Sequence, residues 1–136
     1  MTDQELLEKV RNLRLADLCD GMDAIGLVGT GTMSSAMRPI RPNIKMAGIA
    51  YTVKLVPTQA DVRVCSTVEE YMEDLGKWCH DTYSFVGGIW KDGKGKDKVV
   101  VIDMDGFPGG IWGSEIGLNS VTWGVAGAVV DGACRD

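Results

Sequence analysis

The sequence predicts an α/β fold, and three observations carry the prediction. Segments with apolar residues at helical spacing alternate with short β-branched runs. Val99-Val-Val-Ile is too short and too β-branched for a helix, so it predicts a buried strand. A second apolar run, Val125-Ala-Gly-Ala-Val-Val, closes on Asp131-Gly132 and then Arg135-Asp136. That is how α/β folds project polar side chains from a strand's carboxyl end into a ligand crevice.

The elements follow in order. Leu6, Leu7, Val10 and Leu13 recur at helical spacing and predict a helix over residues 3–12 with Thr2 as its cap. Leu15, Leu18, Cys19, Met22 and Ile25 share one face of a second helix over residues 15–25, and Gly26 stops it. Gly29-Thr-Gly-Thr-Met lacks the lysine of a phosphate-binding loop and follows no strand, so it is a flexible turn. Pro39 and Pro42 keep the next stretch extended. Residues 47–56 alternate as a strand. Ser66 starts a helix running to about Trp78, with Glu69 as its reciprocal capping-box partner. Residues 91–98 are a solvated loop, residues 99–102 the buried strand, and residues 104–110 a turn into a helix beginning near Ile111. No internal repeat is visible.

Composition bounds the function. A chain of 136 residues, 45% apolar and 24% charged, is a single domain able to bury a core. The net charge is -5 and the basic residues are scattered apart from residues 91–98, which argues against direct nucleic-acid binding. No apolar run approaches the roughly 18 residues of a membrane span, and the N-terminus has no signal-peptide core. A cytoplasmic chain without membrane contact is expected. Cys19, Cys65, Cys79 and Cys134 lack C-x-x-C spacing and are expected to be reduced.

Several local motifs invite chemistry. Asp103-Met-Asp105-Gly106 has the D-x-D spacing of haloacid-dehalogenase phosphatases, but Phe107 stands where those enzymes use Thr or Val. Little chain remains for the later lysine and acidic pair they need. The favoured reading is a strand-end turn whose aspartates bond neighbouring backbone amides. His80 has no hydrolytic serine motif near it and makes no triad. The tryptophans are core or subunit-contact residues, with a wall of the ligand site as the second option for Trp112.

Residues 103–136 resemble the signature half of the RraA-like family, which includes 4-hydroxy-4-methyl-2-oxoglutarate/4-carboxy-4-hydroxy-2-oxoadipate aldolases and regulators of ribonuclease E activity. The residues that carry the resemblance are Asp105-Gly106, Trp112-Gly113-Ser114-Glu115-Ile116, the run from Val125 to Asp131-Gly132, and Arg135-Asp136. Leu15-Ala-Asp-Leu-Cys-Asp-Gly-Met-Asp-Ala-Ile-Gly is similar to the family's N-terminal helix, and Met46-Ala-Gly-Ile-Ala-Tyr-Thr-Val to its first core strand.

The resemblance implies a layered β/β/α swivelling-domain fold over residues 1–136, C-terminally incomplete, assembled as a homotrimer or dimer of trimers. It implies a metal-dependent class II aldolase or decarboxylase of small 2-oxo acids. Gly113, Ser114, Glu115 and Ile116 would bind the keto-acid carboxylate through backbone amides at a helix start. Arg135 would be catalytic and substrate-binding, polarising the C2 carbonyl and holding the enolate. Asp136 would hold a divalent cation, Mg or Mn. Two departures stand out. Ser114 occupies the place where the family's aldolases usually carry an acid, and Glu115 lies about 100 degrees further around the helix. Family members also continue beyond the position matching Asp136. The resemblance leaves a second class open, a non-catalytic interaction protein that binds and regulates a ribonuclease.

Overall fold

The computed structural model describes residues 1–59, 61, 63–78, 88, 91 and 93–135. Their elements run α1 (Asp3–Arg11), α2 (Leu15–Ala24), β1 (Ile49–Lys54), α3 (Val68–Trp78), β2 (Lys98–Asp103), β3 (Gly110–Gly113), α4 (Ser114–Thr122), β4 (Gly127–Asp131) and β5 (Ala133–Arg135). Helices and parallel strands share the chain, as the α/β expectation requires. Among the described residues no helix is long and apolar enough to cross a membrane.

The first helix begins where the sequence places it. Thr2 Oγ1 accepts the Glu5 N–H at 3.2 Å while the Glu5 carboxylate accepts the Thr2 N–H at 2.7 Å, so two otherwise orphaned donors are satisfied reciprocally. The Arg11 guanidinium meets the Asp97 carboxylate at 2.5 Å, and Lys45 Nζ donates to the Arg11 carbonyl at 3.4 Å. These contacts tie α1 to the turn entering β2 and to the segment entering β1. Asp97 is a node. Its N–H donates to the Gly124 carbonyl at 3.1 Å and its own carbonyl accepts the Ile49 N–H at 2.9 Å. The Arg11 hydrogen bond holds the Asp97 carboxyl below the usual carboxylate range, against a smaller opposing effect of desolvation. A depressed folded-state pKa adds stability that is complete above the unfolded value of about 4 and is lost as pH falls through the folded value. Acidification below about pH 4 therefore loosens α1. Hydrogen exchange on the α1 amides checks this: the acid-induced loss should vanish in Asp97→Asn, and its persistence there would assign it to another group.

The second helix stops at Gly26, whose φ of 85° suits glycine, with Leu27 N–H donating to the Met22 carbonyl at 2.9 Å. Its apolar face is only partly covered: Leu18, Cys19 and Met22 are half-buried, whereas Leu15 and Ile25 are exposed. The third helix is capped one residue later than the sequence reading placed it. Thr67 Oγ1 accepts the Glu70 N–H at 3.2 Å, and the Glu70 carboxylate accepts the Ser66 N–H at 2.8 Å. Helix α3 starts at Val68, so Thr67 and Glu70 hold the positions expected of Ser66 and Glu69. An ion pair between Arg63 and Asp74, with the Cys65 thiol donating to Asp74 at 3.6 Å, pins this helix to the preceding segment.

The main sheet has the order β1-β2-β4, all parallel, with β2 central. Parallel strands are covered by other elements and therefore read as continuous apolar runs, which is why residues 99–102 announce themselves. Register places Tyr51, Val100 and Ala128 in one row and Val53, Ile102 and Val130 in the next on the same face. Val100 and Ile102 are fully buried and cluster with Met104 and with Ile116 from α4. Val53, Leu55, Ile111, Trp112, Trp123, Val125 and Val130 pack around them.

Residues 111–113 correct the sequence reading. They form β3 rather than the start of a helix, because their backbone finds a partner in β5, and the helix begins at Ser114. The pairing carries a register shift between Gly110 and Trp112. A bulge of this kind breaks the strict alternation of faces. Consecutive Ile111 and Trp112 consequently both pack on the core.

Candidate functional site

The described strands end, in chain order, on Lys54, Asp103, Gly113, Asp131 and Arg135. Four of these are charged and the fifth starts a helix. Carboxyl ends of parallel strands are where α/β folds bind ligands, because the strands deliver side chains there while helices cover the faces. Lys54, Asp103 and Asp131 occupy one register row across the main sheet.

The helix start expected to bind a carboxylate is present, three residues after the expected onset of the helix. Gly113 is the N-cap of α4, with extended φ of -138° and ψ of 175° in magnitude, and it has no side chain to cap the first turn. The N–H groups of Ser114, Glu115 and Ile116 fall in the turn where intrahelical acceptors are missing. Ser114 and Glu115 are exposed, whereas Ile116 is buried in the core and fixes the helix on the sheet. Trp112 is half-buried, with its Nε1 3.4 Å from the position a Cβ on Gly117 would take. Its indole therefore lies along the first turns of α4, which joins its core reading to the helix start.

Arg135 stands on β5, not on a turn, and the register pairs it with Gly113. That pairing brings the guanidinium-bearing residue and the helix start to adjacent strand positions. The route from β4 to β5 passes Gly132, where a Cβ would come within 2.5 Å of Met104 Sδ and 3.4 Å of the Gly109 carbonyl. A side chain at 132 would require the thioether end of Met104 to move aside. The Ala133 N–H donates to Gly109 at 3.1 Å and locks the crossing. Arg135 is exposed, so its head is open to a ligand.

The D-x-D turn behaves as backbone support. Asp103 Oδ1 accepts the Asp105 N–H at 2.9 Å, and Asp105 and Gly106 take left-handed φ values of 53° and 74°. This hydrogen bond, more than the Lys54 ammonium 3.5 Å away, holds the Asp103 carboxyl below its ordinary range. Lys54 is the strand-end residue that sequence reasoning passed over. Its signal was a lysine closing an alternating strand.

Metal ligation was assigned to Asp136, which lies outside the described residues, as do His80 and Cys79. Asp103 and Asp131 offer the hard oxygen that Mg or Mn prefers, yet Asp103 is engaged by Lys54 and the Asp105 N–H. Among the described residues no three Asp, Glu, His or Cys side chains gather at one point. These residues alone do not form a metal centre. Cys19, Cys65 and Cys134 form no disulfide among the described residues. A recess lined by Met1, Glu5, Glu8, Lys9 and Asn12 lies along α1, on a different element from the strand ends.

Comparison with known proteins bears on the family. Protein DlpA of Legionella pneumophila subsp. pneumophila is 28% identical over 136 residues, which cover 99% of this chain and 18% of DlpA. The chain thus spans less than a fifth of the length of that curated relative. No solved structure matches it. The RraA-like family model, described as Aldolase/RraA, matches residues 15–136, and the chain belongs to this family.

Proposed function

We propose that the chain acts as a divalent-metal-dependent class II aldolase or decarboxylase on small 2-oxo acids of the 4-hydroxy-4-methyl-2-oxoglutarate or oxaloacetate type, releasing pyruvate. Family membership supports an aldolase, a decarboxylase or an RraA regulator, and the family's aldolases are generally divalent-metal-dependent. The observation that carries the enzyme reading is the pairing of Gly113 with Arg135, which joins a helix N-terminus to a guanidinium.

In this reading the N–H groups of Ser114, Glu115 and Ile116 hold the substrate's C1 carboxylate, favoured by the positive end of the helix dipole. Arg135 donates to the C2 carbonyl oxygen, where negative charge grows as the carbon-carbon bond breaks and the enolate forms. Trp112 shields one side of the helix start. A divalent cation at Asp136 would supply Lewis-acid polarisation when bound. The family generally forms trimers, and an exposed Arg135 at an open strand end suits a site completed by a neighbouring subunit of a homotrimer or dimer of trimers.

One residue favours the second reading, an interaction protein that regulates a ribonuclease: Ser114 stands in place of the usual acid. Both readings meet in one assay. Pyruvate release from oxaloacetate or 4-hydroxy-4-methyl-2-oxoglutarate should appear with Mg or Mn and disappear with EDTA. Activity unchanged by EDTA would remove the metal mechanism, and no release under any metal would favour the binder.

A further inference from the structure

A substrate of the proposed kind carries a second carboxylate, and an enzyme that binds it must meet that charge. An unpaired anion at the rim would lose its hydration without compensation. Two of the five strand ends are cationic, Lys54 and Arg135, and Arg135 is committed to the C2 oxygen in the reading above. Of the other described arginines, Arg11, Arg14 and Arg63 pair with Asp97, Asp17 and Asp74, while Arg38 and Arg41 lie in the segment before β1 and at no strand end. Among the ion pairs of the described residues, that of Lys54 with Asp103 joins two strand ends.

Its geometry leaves it available. The Lys54 side chain is 61% exposed and its Nζ sits 3.5 Å from Asp103 Oδ2, beyond an ordinary hydrogen bond. Asp103 already accepts the Asp105 N–H, so it keeps a partner when the ammonium turns to an incoming anion. An ammonium has three donors, and one loose contact leaves the others for a ligand. In the Lys54, Asp103, Asp131 row, Lys54 stands two strands from Asp131, roughly 10 Å at the usual strand spacing. Arg135 lies four residues beyond Asp131, at the end of β5.

We propose that Lys54 binds the far carboxylate of a dicarboxylic 2-oxo acid and so sets a preference for diacids over monoacids. The inference rests on the aldolase or decarboxylase reading. Its test uses the full-length, metal-loaded protein and two reactions: decarboxylation of oxaloacetate, with two carboxylates, and deuterium exchange into the methyl group of pyruvate, with one. Lys54→Ala should raise KM for oxaloacetate about tenfold or more, the size of a lost charge-assisted hydrogen bond. Its kcat and its pyruvate exchange should stay within about twofold of the parent, and Lys54→Arg should restore KM. With an active parent, an oxaloacetate KM within threefold in Lys54→Ala overturns this inference alone. Equal loss of both reactions overturns it in favour of a structural role. A parent that performs neither reaction overturns the enzyme reading and this inference with it.

Discussion

Arg135→Ala should lower the proposed pyruvate release about a hundredfold while leaving the domain folded. The side chain is exposed, so its removal opens no cavity. What it removes is the donor paired across β3 and β5 with the helix start. A lost contact to charge that develops in the transition state costs on the order of 3 kcal/mol, or about a hundredfold in rate. The change should fall in kcat and kcat/KM together if, as proposed, the guanidinium binds the enolate more strongly than the ketone. Steady-state kinetics with oxaloacetate, alongside a thermal melt, decide the matter. A mutant within threefold of the parent would assign the enolate oxygen to another group.

Ile102→Ala is expected to cost the most stability. Ile102 is 1% exposed on the central strand, in register with Val53 on one side and Val130 on the other. Truncating such a side chain costs about 2–5 kcal/mol through lost transfer energy and the cavity left behind. Domains of this size hold only about 5–15 kcal/mol in total. Urea unfolding should show a large fall in midpoint, against a change under about 0.5 kcal/mol for Leu118→Ala, which is 68% exposed. Equal effects at the two positions would mean that α4 is covered in solution and that the core is not where these contacts place it.

These two residues also mark what the sequence could and could not disclose. Ile102 was legible, since a β-branched run of its kind has few alternatives. So were α1 and α2, whose periodicity and caps are local. Burial was not: Leu15 and Ile25 fit the apolar face of α2 yet remain exposed, because periodicity reports a face without naming what covers it. The start of α3 was ambiguous by one residue, as Ser66 and Thr67 each have a glutamate three places on. The strand β3 left no local trace, since two glycines flank Ile111 and Trp112 and its partner lies in β5. The site divides the same way. Gly113, Ser114, Glu115, Ile116 and Arg135 were proposed through family resemblance, but the pairing of Gly113 with Arg135 is a matter of register. Lys54 surfaced only when the strand ends were lined up.

The all-parallel pairing has a kinetic consequence. Among the described residues no two strands pair antiparallel, so no hairpin is available to form early. Ile49 must wait for Lys98 and Gly110 for Ala133 before any ladder closes. Loop closure comes before the contacts that reward it, which slows folding relative to helical or hairpin-rich domains. The shortest route joins β3 to β5 through α4, and β1, although made before β2, docks onto a surface that does not exist until β2 has emerged. In the interval its Ile49-Ala-Tyr-Thr-Val is an unpaired β-forming segment, open to the nearest chain with an edge to offer.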